Sequence, residues 1–307
     1  MSQYIVRRLL QMIPITLGIL TLIFSLIHLI PGDPAVSIAG EGARPEDIVA
    51  VRKALGLDQP IFTQYVHYLG RLAHGDLGRS FRTNDLVAHE IMTRYPATIE
   101  LALGAMFVAL LVAFPLGIIS AIYRNSWIDN VARFFALIGV SMPSFWFGPL
   151  LIIAFAIKVN WFPVSGREEG LKSLVLPSLT MGLALAAILT RMIRVSVAEE
   201  LNQLYVTTAI AKGVTRVKAI FRHALKNAMI PVITVLALQF GSLLTGAIIT
   251  EQIFSWPGLG RLLIQSINTR DYPQVQASIL VIALTYIVVN FISDLLYAVV
   301  DPRIKLG

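Results

Sequence analysis

Residues 198–230 read AEELNQLYVTTAIAKGVTRVKAIFRHALKNAMI, and the apolar runs on either side, 174–195 and 231–252, are each long enough to cross a bilayer. The segment itself cannot lie in hydrocarbon. It carries Glu199, Glu200, Lys212, Arg216, Lys218, Arg222, His223 and Lys226. At about 2.5–3.5 kcal/mol per charge at mid-membrane, its Lys and Arg alone would cost roughly 12–17 kcal/mol. The apolar residues nevertheless keep a helical period. Leu201, Leu204, Tyr205 and Thr208 recur at helical spacing before Gly213. Val217, Ile220, Phe221, Ala224, Leu225 and Ala228 then form a second stripe at i, i+3, i+4, i+7, i+8 and i+11. The pattern predicts two short amphipathic helices bent at a glycine and presented on one face of a membrane, as a docking surface would be.

The rest of the composition agrees. Hydrophobic residues make up 56% of the 307 and charged residues only 14%, against about 25% charged in soluble domains. An all-α, polytopic membrane protein is expected. With no cysteine there is no disulfide framework, thiolate zinc site or thiol nucleophile. The formal charge of +7 fits basic loops gathered on the cytoplasmic side better than it fits a nucleic-acid partner.

Six runs reach spanning length: 9–30, 98–123, 131–157, 174–195, 231–252 and 275–300. The first follows Arg7 and Arg8, and its apolar core exceeds the roughly 7–15 residues of a signal-peptide core, so it reads as an uncleaved span. With both termini cytoplasmic, the inner segments hold Arg7, Arg8, Arg124, Arg133, Arg191, Arg194, the five basic residues of the island, Arg303 and Lys305. The short outer loops hold only Lys158, Arg167, Lys172, Arg261 and Arg270, as the positive-inside rule requires. The organisation is then a first span within 1–30, an extracytoplasmic cap over 31–97, and a five-helix core over 98–307 that includes the 198–230 loop. Pro31-Gly32-Asp33-Pro34 would end the first span sharply. Pro45-Glu46-Asp47 opens a cap helix that Gly56 closes, with acids in its first turn and Arg52 and Lys53 in its last.

Several chemistries are missing. There is no P-loop, no zincin His pair after His89-Glu90 and no Gly-x-Ser-x-Gly elbow. The five histidines show no metal-ligand spacing. A catalytic chain and a metal site are therefore not expected. Polar residues within the spans are few: Gln11, His28, Gln239, Glu251, Asn290 and Asp294, with Arg191 and Arg194 near a cytoplasmic end. Such groups are functional candidates by default. Gln239, Glu251, Asn290 and Asp294 are the candidates for a translocation path. Asn290 and Asp294 share a face, and a structural pair of Asp294 with Arg191 or Arg194 is favoured there over a substrate contact. Gly241 and Gly246 suit close helix packing. The spans hold no mid-membrane carboxylates or matched broken helices of the ion-coupled kind, so the energy source is expected outside the chain.

At this point the chain resembles the permease subunits of ATP-binding-cassette importers, in particular the first permease of dipeptide and oligopeptide systems. The resemblance covers essentially the whole length. Its strongest element is Tyr205-Val206-Thr207-Thr208-Ala209-Ile210-Ala211-Lys212-Gly213, followed by Phe221-Arg222-His223-Ala224-Leu225-Lys226-Asn227-Ala228-Met229-Ile230-Pro231. This is similar to the family's cytoplasmic docking loop, with Thr207-Thr208-Ala209 where the general motif has Glu-Ala-Ala, so a contact made by that acid does not carry over. Further blocks are Gly75-Asp76-Leu77-Gly78, Ser141-Met142-Pro143-Ser144-Phe145-Trp146, Trp256-Pro257-Gly258-Leu259-Gly260-Arg261 and Arg270-Asp271-Tyr272-Pro273.

The resemblance implies a type I importer fold in a bacterial inner membrane. The partners would be a homologous second permease, two P-loop ATPase subunits that hold ATP and Mg, and an extracytoplasmic substrate-binding protein. No cofactor is expected on this chain. The docking residues would be Tyr205, Thr208, Ala209, Ala211, Lys212, Gly213, Phe221, Arg222, His223, Asn227 and Pro231. Trp256, Pro257, Gly258 and Arg261 read either as an outer gate or as an interfacial packing helix. Short peptides are the expected cargo, with glutathione and nickel or a metal chelate carried by near relatives. The reading from another class is a stand-alone channel or ion-coupled carrier whose hairpin only floats on lipid.

Overall fold

The computed structural model describes residues 2–29, 34–39, 42–54 and 56–300. The expected turn at Pro31-Gly32-Asp33, together with Arg303 and Lys305, lies outside the described residues. In chain order the helices are α1 (Ser2–Leu29), α2 (Pro34–Ala39), α3 (Pro45–Ala54), α4 (Ile61–Ala73), α5 (Val87–Ile122), α6 (Trp127–Ser141), α7 (Ser144–Leu151), α8 (Leu171–Leu201), α9 (Leu204–Ala211), α10 (Arg216–Ala219), α11 (Leu225–Ile253), α12 (Leu259–Asn268) and α13 (Tyr272–Val300). A π-helical stretch, Ile152–Lys158, continues α7, and a second, Ile220–Ala224, joins α10 to α11. Among the described residues the one extended pairing is Arg79 opposite Leu86. The fold is all-α.

Five segments are long and apolar enough to span: Ile5–Ser25, Val87–Ile122, Leu171–Leu201, Arg216–Thr245 and Tyr272–Leu295. The run expected as one span over 131–157 is instead two helices, Trp127–Ser141 and Ser144–Lys158, bent by 105°. The cause is local. Pro143 disfavours helical geometry at the residue before it, and Met142 accordingly sits at φ −82°, ψ 118°.

The chain forms two compact units. One comprises Met1–Ala97 and Pro257–Ile287, the other Thr98–Trp256 and Val288–Gly307. In the first, Leu20, Ile23 and Phe24 of α1 are buried with Tyr68 and Leu280. Val87 and Ile91 pack with Leu259, Leu262 and Ala277. Asp271, 4% exposed, accepts from the Ser80 hydroxyl and from the Phe81 amide at 3.1 Å, which ties the 76–86 turn to the α12–α13 turn. In the same unit, α3 carries Glu46 and Asp47 in its first turn and Arg52 and Lys53 in its last. Gly56 follows at φ +67°.

In the second unit α8 packs against α6, α7 and α11, and α5 approaches it at glycines on both helices. A Cβ added at Gly182 would lie 2.6 Å from the Ala105 carbonyl oxygen and 2.8 Å from the Val108 Cβ. Close packing through small residues is how helices associate in a bilayer. Helix propensity alone would have Gly182→Ala stabilise the chain by about 1 kcal/mol. The contact reverses the sign, with an expected loss of about 1–3 kcal/mol from overpacking. Thermal unfolding in detergent checks this. Gly18→Ala, whose Cβ meets nothing within 4 Å, is the control and is expected to melt no lower than the parent.

Candidate coupling site

α8 ends at Leu201, and Asn202 and Gln203 turn the chain into α9. α9 ends on Gly213, which takes φ +89°. The Gly213 amide donates to the Ile210 carbonyl at 2.9 Å, and the Val214 amide donates to the Ala209 carbonyl at 3.1 Å. These are the two bonds of a Schellman closure, which places its glycine in the left-handed region. The bend read from the sequence is present.

The second amphipathic helix is not a separate element. α10, the π-helical stretch and α11 run on, and Arg216–Thr245 is one continuous helical stretch long and apolar enough to span. Pro231, expected to begin that span, lies inside α11. The stripe also differs. Ala219, Ile220, Ala224 and Ala228 are buried, whereas Val217 and Phe221 are 65% and 57% exposed. The wider i→i+5 winding of Ile220–Ala224 explains the shift. It turns the faces upstream away from the register that a uniform 3.6-residue period assigns.

A small core underlies the bend, where Val206, Ala219 and Ala224 are buried and Leu201 and Val214 pack against them. Tyr205 braces it. Its hydroxyl donates to the Glu200 carboxylate at the end of α8 and accepts from the Asn227 amide of α11 at 3.0 Å. Burial first, and then the bond to Glu200, raise its pKa. The Thr208 hydroxyl donates back to the Leu204 carbonyl at 2.8 Å.

Several large apolar residues of this hairpin are exposed. Leu204 is 84% exposed and Ile210 44%, alongside Val217 and Phe221. Ala211, Lys212 and Arg222 are exposed beside them, while Ala209 and His223 are half-buried.

Asp129 of α6 forms the adjoining ionic centre. It is fully buried and accepts from Arg194 of α8 at both oxygens, from Nε at 2.6 Å and from the second guanidinium nitrogen at 2.7 Å. The Ser120 hydroxyl donates to it at 2.5 Å and the Asn125 amide at 2.9 Å. From sequence, Arg194 reads with Arg191 as a partner for Asp294. Its fork is instead taken by Asp129. A sequence signal for Asp129 existed: Ser126 caps α6 by accepting from the Asp129 amide, at the spacing of a capping box.

The other candidates scatter. Gln239, Asn290 and Asp294 are half-buried. Glu251 is fully buried and accepts from the Thr98 hydroxyl at 2.7 Å, so its side chain holds α5 to α11. Trp256, one of the outer-gate or packing-helix residues, is also fully buried. Its amide donates to the Glu251 carbonyl at 2.8 Å, and the Arg167 guanidinium lies 5.9 Å from its ring centroid. Arg167 also pairs with Glu100. Sequence reading counted Arg167 only as a loop charge and missed Glu100 and Thr98, because no local pattern links residues so distant. At the start of α12, Gly258, Leu259, Leu262 and Leu263 are buried and Pro257 and Arg261 are half-buried, while Ile267 near its end is 49% exposed.

The described residues thus form an all-helical chain with several helices long and apolar enough to cross a membrane and a bend rich in charged residues between two of them. Residues 113–306 match the family described as binding-protein-dependent transport system inner membrane component, and residues 1–102 match that system's N-terminal membrane component. The chain belongs to this family and is the permease subunit of an ATP-binding-cassette importer.

It is 44% identical over 332 residues to the dipeptide transport system permease protein DppB of Alkalihalophilus pseudofirmus, covering 99% of this chain and 100% of that one. It is 43% identical over 305 residues to the glutathione transport system permease protein GsiC of Escherichia coli, covering 99% of each. Among solved structures, the inward-facing MetNI methionine ABC transporter matches with a TM-score of 0.56 at 15% identity, over 69% of this chain and 96% of that one. An amino acid ABC transporter with histidines matches with a TM-score of 0.53 at 16% identity, over 68% and 94%. Both share the type I importer fold.

Proposed function

We propose that this permease forms half of a translocation pathway for short peptides and is worked through its 198–230 hairpin by separate ATPase subunits. The observation that supports the coupling role is that Leu204, Ile210, Val217 and Phe221 are exposed at a bend crowded with charged residues. Exposed apolar residues on a braced, rigid bend suit a protein groove. Tyr205, Thr208, Ala209, Ala211, Lys212, Gly213, Phe221, Arg222, His223, Asn227 and Pro231 are the proposed docking set.

The assembly is a homologous second permease, two P-loop ATPases carrying ATP and Mg, and an extracytoplasmic binding protein that selects cargo. This chain binds no cofactor and catalyses nothing. Its termini and hairpin are cytoplasmic, and the 31–97 cap faces outward. Gln239, Asn290 and Asp294 remain exposed enough to border the path, while Glu251 supports it from within the unit. Trp256, Pro257, Gly258 and Arg261 connect the fifth span to α12 at the outer mouth.

Peptide cargo is favoured by whole-length similarity to a dipeptide and a glutathione permease, glutathione being itself a modified tripeptide. Reconstitution with the cognate ATPases and binding protein tests the reading. Dipeptide is expected to stimulate ATP hydrolysis and enter vesicles only when all components are present. Solute movement through this chain alone would assign it instead to the channel or carrier class.

A further inference from the structure

α8 and α11 are joined at two ends, and the hairpin is only one of them. α8 runs from Leu171 to Leu201, and α11 starts beyond the hairpin at Leu225 and ends at Ile253. At 1.5 Å per residue, the 29 residues of α11 place its far end about 43 Å from its start. There the segment that precedes α8, residues 159–170, folds back onto the residues that follow α11. Gly166 takes φ +85°, and its amide donates to the Phe254 carbonyl at 2.9 Å. Its neighbour Arg167 pairs with Glu100 of α5, and the same guanidinium stands 5.9 Å from the Trp256 ring centroid. All of these residues belong to the second unit.

Both sides of this closure are themselves held. On the loop side, the Trp161 amide donates to the Phe155 carbonyl at 2.9 Å, and their rings lie 6.1 Å apart. Phe162 packs against Leu151, Leu176 and Phe254. On the α11 side, Ser255 stands at φ +50°. A non-glycine residue stays in that region only where its surroundings over-determine it. Here the Trp256 amide donates to the Glu251 carbonyl at 2.8 Å, and the Glu251 carboxylate accepts from Thr98 of α5. α8, the hairpin, α11 and the 159–170 loop therefore form a closed frame. Two packed helices pinned at one end can splay, whereas the same helices pinned at both ends tilt together as a rigid body.

We propose that Arg167 is a positioning residue for transport. With Gly166 it closes the frame, so that a displacement of the hairpin reaches the far ends of α8 and α11 as one tilt. The inference rests on the reading that the ATPases act on the hairpin. Arg167 works through the frame and not on the cargo. Its side chain is 42% exposed and that of Glu100 30%, and exposed pairs contribute little to folding. Opening the closure should thus loosen the frame without unfolding the unit.

The test uses the importer reconstituted in vesicles with its ATPases and binding protein. Arg167→Ala is expected to keep hydrolysing ATP while peptide imported per ATP falls about tenfold, the combined worth of an exposed ion pair and a cation–π contact. Arg167→Lys keeps a charge beside Glu100 and is expected to recover most of that ratio. Covalent closure then separates a frame from a simple support. The chain has no cysteine, so Glu100→Cys and Arg167→Cys can be introduced together and bridged with a reducible bis-methanethiosulfonate, the other chains being free of accessible thiols. The unbridged pair is expected to behave like Arg167→Ala, the bridged pair to import like the parent, and reduction to undo the rescue. Normal import by Arg167→Ala would overturn the proposal, and so would parallel loss of import and hydrolysis, which marks a folding support. A bridged importer that hydrolyses without importing would show that the closure must open, and a pair that the reagent cannot bridge would show that it is not closed. Either result sinks the idea. Failure of the hairpin reading looks different, because a variant of the bend itself, Gly213→Pro, would then import normally whatever Arg167 does.

Discussion

A Gly213→Pro permease is expected to reach the membrane and to transport nothing, while the ATPase subunits no longer respond to substrate. The argument is one of backbone and not of space. A Cβ at Gly213 meets nothing within 4 Å, so bulk is not excluded there. What is excluded is the conformation. Gly213 sits at φ +89° and donates its amide to Ile210 at 2.9 Å. Proline is fixed near −65° and has no amide to give. The Schellman closure is therefore lost, and with it the angle between α9 and the helix that continues into α11. Gly213→Ala keeps the amide and is strained by only about 1 kcal/mol, so it should couple partially. Leu204→Asp guards against simple misfolding, because Leu204 is 84% exposed and contributes nothing to the core. Removing its burial in a partner would cost about 1.5–3 kcal/mol, roughly ten- to a hundredfold in affinity. Substrate-stimulated ATP hydrolysis and vesicle uptake, measured on the same preparations, check the series. Normal uptake by both Gly213→Pro and Leu204→Asp would remove the hairpin from the coupling mechanism.

The legible parts of this fold are those where a single local cost dominates. The 198–230 island stands out because several charges cannot share hydrocarbon, and its bend because glycine alone takes positive φ cheaply. The apolar runs reveal the spans for the same reason. The break at Met142-Pro143 was hidden by its surroundings. An unbroken apolar composition over 131–157 suggests one helix, although Pro143 sits within it as a stop signal. The π-helical stretch before α11 leaves no mark in a 3.6-residue period, so Val217 and Phe221 fell on the wrong face. Pairings across long separations were not readable at all. Thr98 and Glu251 meet across 153 positions, and Asp129 and Arg194 across 65. Depth in the membrane suggested that Arg194 needed an acid. It pointed to Asp294 and passed over Asp129, because the true partner depends on which helices pack together.

The Asp129–Arg194 pair carries the largest expected stability effect in the chain. Asp129 is fully enclosed, and every hydrogen bond it makes stabilises its charged form: two from Arg194, one from the Ser120 hydroxyl and one from the Asn125 amide. Arg133 stands further off at 3.6 Å with a half-exposed side chain, and its attraction is weak by comparison. Asp129→Ala strands the Arg194 guanidinium, whose side chain is only 15% exposed. Losing one partner of a buried pair costs about 3–5 kcal/mol, because the remaining charge is left uncompensated. Arg194→Ala should cost as much by stranding the carboxylate. Arg194→Lys keeps the charge but cannot present a planar fork to both oxygens, so it should fall between. Asp129→Leu combined with Arg194→Met removes both charges and is expected to recover most of the loss. Thermal unfolding of the detergent-solubilised chain reads all four variants. The pair also has a place in coupling, since Arg194 lies two turns before the end of α8, where the chain enters the hairpin. If the double variant melts like the parent, yet the importer assembled with it hydrolyses ATP without importing peptide, the ion pair transmits motion between α8 and α6. If it melts like the parent and imports normally, the pair serves stability alone.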